Sequence, residues 1–147
     1  MGRVFKLKED VIRIMDYSIA IEQRDKYLYV RVRGDNVPAT IMRYLKEAYE
    51  ACRDTQCPNV LIEENLDGPT LGVLEVFEVV SKNSHVFPVV QRVACVDVNP
   101  AHDPARMKFA ETVAVNRGLN VRNFATLSEA VTWIELGPAM PVTPCAS

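Results

Sequence analysis

The sequence lacks the short motifs that identify the common enzyme classes. It contains no GxGxxG, no GxxxxGK[ST] and no GxSxG segment, so it predicts neither a dinucleotide site, nor a phosphate-binding loop, nor a serine hydrolase elbow. Histidine is scarce as well. The chain has two histidines, His85 and His102, and neither has a cysteine or serine at a spacing typical of catalysis. A hydrolase or transferase is therefore unsupported.

Long apolar runs and a strong net charge are also missing. Charges interrupt the N-terminal segment 1–18 throughout, and no stretch approaches the roughly 20 apolar residues of a membrane-spanning helix. We therefore expect no signal peptide, no membrane span and a cytoplasmic location. The 17 lysines and arginines nearly balance the 19 aspartates and glutamates, giving a net charge of −2, which argues against a nucleic-acid partner.

The cysteines do not form a metal-binding pattern. Cys52 and Cys57 are separated by four residues with no histidine nearby, so the spacing is a poor match to a zinc site. Cys95 belongs to an apolar, strand-like segment, where a thiol packs as a small hydrophobic group. We expect neither a cofactor nor a structural metal.

What the sequence does have is the apolar content of one ordinary domain. Of its 147 residues, 48% are hydrophobic and 24% are charged, and a chain of this size folds without a disulfide or a metal. We expect a single domain over residues 1–136. Residues 1–15 are left unassigned, and within them residues 4–14 fit either an edge strand or a short helix. Residues 137–147 are rich in proline and are expected to form a disordered tail.

Hydrophobic periodicity predicts nine elements in that domain. Two segments of alternating polarity predict a hairpin, and runs with helical spacing alternate with short apolar strands after it. The predicted strands are 17–23, 27–33, 59–62, 90–98 and 121–124, and the predicted helices are 38–54, 70–82, 104–117 and 127–136. The order β-β-α-β-α-β-α-β-α predicts an α/β fold whose mixed, mostly parallel sheet has right-handed βα crossovers.

Two segments carry a resemblance to a known family. With the element order, FAETVAVNRG at residues 109–118 and FATLSEAVTW at residues 124–133 resemble the SpoIIAA-like branch of the STAS domains, the module of sulfate transporters and anti-sigma-factor antagonists. The resemblance covers about residues 17–136 and is strongest to small stand-alone bacterial proteins. It implies a SpoIIAA-like fold and a non-catalytic regulatory or protein-interaction module of the bacterial cytoplasm.

The resemblance also points to one loop. In antagonist-type STAS domains, the loop after the central strand begins Asp-Ser-Ser-Gly, and a partner kinase phosphorylates one of the serines. The matching residues here are Asp67, Gly68, Pro69, Thr70 and Gly72. Gly68 and Pro69 occupy the serine positions and have no hydroxyl group, so Thr70 is the candidate phosphorylation site that the loop retains. We favour a structural role for Thr70, as the N-cap of the next helix, worth about 1 kcal/mol.

Acidic residues gather where two neighbouring strands are predicted to end. Glu63, Glu64 and Asp67 follow one strand, and Asp97 and His102 lie at the end of the next. Ligands of parallel α/β sheets bind at this edge, and carboxylates beside a histidine could hold a divalent ion or supply a general base. Glu64, Asp97 and His102 are the candidate ligand residues. A solvated acidic rim without such a role is the preferred interpretation.

Helix 70–82 carries more apolar surface than one sheet face can cover. The surplus, Val73, Val76, Phe77 and Val80, predicts an interaction face for a protein partner or a second copy of the chain. A second hypothesis is a binding site for a small apolar or acyl ligand, because the fold is related to Sec14-type lipid-binding domains. Simple packing between neighbouring elements would account for the same pattern. An enzyme or metal site at the acidic edge is the least favoured function.

Overall fold

The structure is a computed structural model that describes residues 2–4, 16–83 and 90–136. Over these residues it contains one sheet of six strands and four helices. The strands are β1 Gly2–Val4, β2 Asp16–Gln23, β3 Leu28–Asp35, β4 Asn59–Asp67, β5 Arg92–Asp97 and β6 Val121–Asn123. The helices are α1 Pro38–Thr55, α2 Val73–Asn83, α3 Pro104–Asn116 and α4 Leu127–Leu136. The predicted tail and most of residues 1–15 lie outside the described residues.

The strands lie in the sheet in chain order. β1, β2 and β3 are antiparallel neighbours, and β3, β4, β5 and β6 are parallel neighbours. The three parallel pairs are connected through α1, α2 and α3, as βαβ units require. The prediction of a mixed, mostly parallel α/β sheet is therefore confirmed, and residues 2–4 add an edge strand to the predicted hairpin.

The sheet buries both of its faces, and the alternation in β3 shows why. Leu28, Val30 and Val32 pack into a cluster with side chains of α1, whereas Tyr27 and Tyr29 pack into a second cluster with side chains of α4. Successive side chains of a strand point to opposite faces, so one strand contributes to both clusters. α1, α2 and α3 cover one face, and α4 lies on the other.

β4 is longer than its apolar run. The sequence predicts a strand over 59–62 followed by a loop, but the strand continues to Asp67 because its polar half pairs in register with β3, as far as Asp35 with Asp67. Within this half, Leu66 is fully buried and Glu64 is 9% exposed. The chain turns at Gly68, whose φ of +112° is a conformation that other residues rarely adopt. α2 consequently begins at Val73 rather than at residue 70.

Within the described residues, the helices are too short or too polar to cross a bilayer. The longest, α1, has 18 residues and includes several charged side chains.

The second cluster provides a test of the fold. Leu61 is fully buried between the sheet and α4, so Leu61→Ala should lower the free energy of unfolding by about 2–5 kcal/mol through lost burial and a cavity. Leu74 is 84% exposed, so the same truncation there should change it by less than about 0.5 kcal/mol. Urea unfolding monitored by the fluorescence of Trp133, the single tryptophan, measures both. Equal effects of the two variants would contradict this packing.

Candidate functional site

The parallel strands β3, β4 and β5 end at one edge of the sheet, and the segments that follow them meet there. Asn36 follows β3, loop 68–72 follows β4, and residues 98–103 follow β5. Edges of this kind form the ligand sites of open α/β sheets. Loop 68–72 contains most of the candidate phosphorylation segment, and its geometry therefore decides what this edge can do.

His102 connects the end of β5 to that loop. Its Nδ1 lies 2.6 Å from Asp97 Oδ2 and its Nε2 lies 2.9 Å from the carbonyl oxygen of Gly68. Both of these oxygens only accept hydrogen bonds, so the protonated imidazolium, which donates from both nitrogens, satisfies the two contacts together. Burial lowers the pKa of His102, but the bonds to Asp97 and Gly68 outweigh it and leave the pKa above its usual 6.5.

Side chains from three segments fix the rest of the loop. Asn36 Nδ2 donates to Pro69 O at 2.9 Å, and Thr70 Oγ1 accepts from the backbone N–H of Asp103 at 3.0 Å. At the end of the loop, the Gly72 N–H donates to the Glu75 carboxylate at 2.8 Å. Together with the His102 contact, these bonds hold the backbone of loop 68–72 against β5 and the start of α3.

Thr70 does not have the predicted role. α2 begins three residues later, and the Thr70 hydroxyl oxygen accepts a bond from the N-cap residue of α3, Asp103, instead of capping α2. The Asp103 carboxylate in turn caps α3 by accepting from the Ala105 N–H at 3.0 Å. The N-cap prediction for Thr70 is therefore wrong, because the turn at Gly68 and the segment after it move the start of α2 to Val73.

Glu64 is a carboxyl group inside the protein. It lies on β4, is 9% exposed, and accepts a hydrogen bond from the hydroxyl of Tyr44 on α1. Burial raises the pKa of Glu64 to about 7; the Tyr44 bond and His102 act in the opposite direction, and Asp97 adds to the rise. At neutral pH the Glu64 carboxyl group is therefore close to the midpoint of its titration.

The three candidate ligand residues come together, but they do not form a solvated rim. Glu64 and His102 are each 9% exposed, and the side chain of Asp97 is 10% exposed. Asp67 is exposed, whereas Glu63 lies on the opposite sheet face and accepts a bond from Tyr29. Among the described residues, no group of three or more histidine, cysteine or acidic side chains is arranged for a metal ion.

Only part of the predicted interaction face of α2 lies at the surface. Val73 and Phe77 are 48% and 46% exposed, but Val76 is buried and Val80 is half-buried. Sequence reasoning missed Leu74, which has the most exposed large apolar side chain of the helix. Val73, Leu74 and Phe77, called the α2 patch below, lie directly after loop 68–72. The helical spacing does contain this stripe, since at about 100° per residue Val73, Leu74 and Phe77 fall within one arc of about 100°.

A cavity of about 130 Å³ lies between the sheet and α1, α2 and α3. Its wall is mainly apolar and includes Ile62, Leu71 and Val79, and it also contains Glu64 and Thr70. Sequence patterns could suggest an apolar ligand site but could not locate this cavity, because its wall is assembled from six helices and strands and four loops. A second cleft, of about 330 Å³, lies beside Asp97 and His102 and reaches towards Phe124.

The contacts of this site are better suited to fixing loop 68–72 in place than to catalysis. The Asp97–His102 pair resembles the base and its orienting group in many hydrolases, but Nε2 of His102, which would take the proton, is occupied by Gly68 O. The exposed elements of the site are therefore the loop backbone, the carboxylate of Asp67 and the α2 patch.

Glu64 makes stability depend on pH. The pKa of this carboxyl group is 4.5 in the unfolded chain and about 7 in the folded protein. Between these pH values the folded state therefore binds more protons than the unfolded state. The free energy of unfolding consequently falls as the pH rises through this range. The elevated His102 pKa acts in the same direction. In Glu64→Gln, which keeps an acceptor for Tyr44, the loss of stability from pH 5 to pH 8 should be smaller by about 2–3 kcal/mol. Urea unfolding at both pH values measures this difference.

Glu63→Gln provides the matched control, since Glu63 lies on the other sheet face, in contact with Tyr29. It should leave the loss of stability from pH 5 to pH 8 unchanged within about 0.5 kcal/mol. A Glu64→Gln protein with the wild-type pH dependence would show that this carboxyl group titrates normally.

Comparisons with known proteins identify the fold. No protein-family model matches the chain, and no curated protein sequence matches it. Among solved structures, the chain is similar to the crystal structure of an anti-sigma factor antagonist from Mycobacterium paratuberculosis, with 17% identity and a TM-score of 0.52. The match covers 82% of this chain and 95% of that one. The chain therefore has the STAS-like, SpoIIAA-type α/β fold that its sequence resembles.

Proposed function

We propose that the protein is a non-catalytic module of the bacterial cytoplasm that binds a protein partner through the α2 patch and the adjoining loop 68–72. The observation that supports this proposal is the exposure of three large apolar side chains in the first two turns of one helix, 48% for Val73, 84% for Leu74 and 46% for Phe77. Exposed apolar groups that are contiguous mark interaction surfaces more often than isolated ones do.

The charges around the patch favour a different protein over a second copy. Glu75 and Glu78 follow Leu74 around the helix and are exposed, and Asp67 is exposed at the end of β4. Lys82 pairs with Glu78 at 2.9 Å, and the guanidinium group of Arg117 lies 4.6 Å from the centre of the Phe77 ring. The three acidic side chains at the patch therefore outnumber the two basic ones. Two identical patches facing each other would bring together a net excess of like charge, which costs binding energy. A partner with an apolar pocket and a mainly basic rim fits this surface better.

The structural neighbour supports a regulatory role of this kind, since its name describes a protein that antagonises an anti-sigma factor. The loop argues for binding without a phosphate switch. Gly68 and Pro69 have no hydroxyl, and the Thr70 oxygen already accepts a hydrogen bond from Asp103. A phosphate on Thr70 would place negative charge beside the Asp103 carboxylate, which like-charge repulsion disfavours.

Introducing a charge into the patch tests the proposal. The protein is used to capture its partner from the host extract, the partner is purified, and its Kd is measured by calorimetry for the wild type and two variants. Phe77→Glu and Leu74→Glu should each weaken binding at least about tenfold, because central apolar contacts dominate interface energies. Ile21→Glu is the matched control, since Ile21 is 39% exposed on β2, two strands away from β4, and should bind within about twofold of the wild type.

Two results would contradict the proposal. One is a captured partner whose Kd is the same for Phe77→Glu, Leu74→Glu and the wild type. The other is a sedimentation equilibrium in which the protein alone forms a micromolar or tighter dimer that Phe77→Glu dissociates. The second result would assign the patch to self-association.

A second candidate function, the binding of a small apolar ligand, is favoured by the cavity. At about 130 Å³ it is close to the ~150 Å³ of an apolar cavity known to take up benzene. Leu71 and Val80, whose side chains line the cavity, belong to the loop and helix that form the partner surface. Native mass spectrometry of the protein as purified should then show a bound small molecule. A mass equal to that of the chain alone, under conditions that keep a model complex intact, would contradict it.

A further inference from the structure

The wall of the cavity contains one polar group that its neighbours only half satisfy. Glu64 is nine-tenths buried and lines the cavity, and its Oε2 accepts from Tyr44. Among the residues that the structure describes, its other oxygen, Oε1, has no hydrogen-bond partner, and it is not one of the fully buried unpartnered atoms, so it stays accessible from the cavity. A ligand in the cavity that donates to this oxygen would make a hydrogen bond that no described side chain makes.

The surrounding apolar groups determine the size of such a ligand and require most of it to be hydrocarbon. Ile62, Val76, Val79 and Ala110 contribute hydrocarbon surface to the wall, and a volume of about 130 Å³ limits the body to a benzene-sized or short branched group. The wall also includes the exposed Asp103, so the cavity reaches the protein surface between the loop and α3.

The charges of the wall determine the polar end of the ligand. Its acidic members outnumber its basic ones, four to two; the acidic ones are Glu64, Asp97, Asp103 and Glu111, and the basic ones are His102 and Arg106. Asp97 is paired with His102, and Glu111 with Lys108, whereas Glu64 forms no ion pair with any cation of the described residues. An anionic end would meet an excess of like charge, and a donor or cation would complement Glu64.

We infer that this cavity binds a small apolar molecule that ends in a hydrogen-bond donor, a primary amine or an alcohol, with the donor meeting Glu64 Oε1. The inference rests on the second candidate function above and narrows its ligand class. It also excludes fatty acids and other carboxylates as preferred ligands.

Four probes of similar size test separately whether the cavity binds an apolar molecule and whether it prefers one with a terminal donor. They are isopentylamine, isopentyl alcohol, isohexane and isovalerate. Titrations of the full chain are followed by NMR through the methyl groups of Ile62, Val76 and Val79. Isopentylamine and isopentyl alcohol should bind about tenfold tighter than isohexane, in line with a hydrogen bond to a charged or polarised group. Isovalerate should bind weakest.

Variants assign the preference to Glu64. Glu64→Gln should lose most of the affinity for the amine but keep that for the alcohol. Its amide oxygen accepts from Tyr44, so its NH2 group takes the place of Oε1, where it can donate to an alcohol oxygen but not bind an ammonium group. Glu63→Gln, on the other sheet face, should bind all probes as the wild type does. Ala110→Leu fills the cavity, so it should abolish binding of every probe while the melting temperature stays the same or rises.

The outcomes are distinct. Isohexane binding as tightly as the amine and the alcohol, or isovalerate binding tightest, would overturn the assignment of a donor-bearing ligand and leave the apolar-ligand function standing. An amine preference that persists in Glu64→Gln would overturn the role of Glu64. If no probe shifts the cavity methyl groups up to its solubility limit, both this inference and the apolar-ligand function are overturned.

Discussion

The His102 ring holds the functional edge of this protein together. It lies between the Asp97 carboxylate at the end of β5 and the Gly68 carbonyl at the start of the loop after β4, at 2.6 and 2.9 Å. Because the loop is fixed at this point, Thr70 lies against the start of α3 and α2 begins where it does. The exposure of the α2 patch and the wall of the cavity both follow from that position.

Local patterns in the sequence were enough to predict the order of the helices and strands from β2 to α4. Alternation identified β2 and β3, and the predicted bounds of α4 agree with the structure, in which Thr126 Oγ1 accepts from the Glu129 N–H at 3.2 Å. The prediction was wrong where a residue's environment is set by distant partners. The polar half of β4 becomes strand because β3 pairs with it, and Glu64 is buried because Tyr44, 20 residues earlier, satisfies one of its oxygens. Neither contact leaves a local pattern.

The two proposed functions share the same short stretch of chain. Thr70 and Leu71 line the cavity on one side, and the α2 patch begins directly after Gly72 on the other. A ligand that changed the position of this loop would change the affinity for a partner, and the partner would change the affinity for the ligand by the same factor. In this architecture, the buried Glu64 carboxyl group lies on the ligand side of the loop and the exposed Asp67 carboxylate on the partner side.

Gly68 limits how this loop could have diverged or could be redesigned. In the antagonist-type pattern a serine stands at this position, but the φ of Gly68 is +112°, which a residue with a Cβ adopts only at a cost of about 1–3 kcal/mol. Space is not the obstacle, since an added Cβ would come no closer than 4.0 Å to Asn36. A serine here would therefore strain the turn that presents the Gly68 carbonyl to His102, so a hydroxyl group at this position and the His102 contact compete for one backbone conformation.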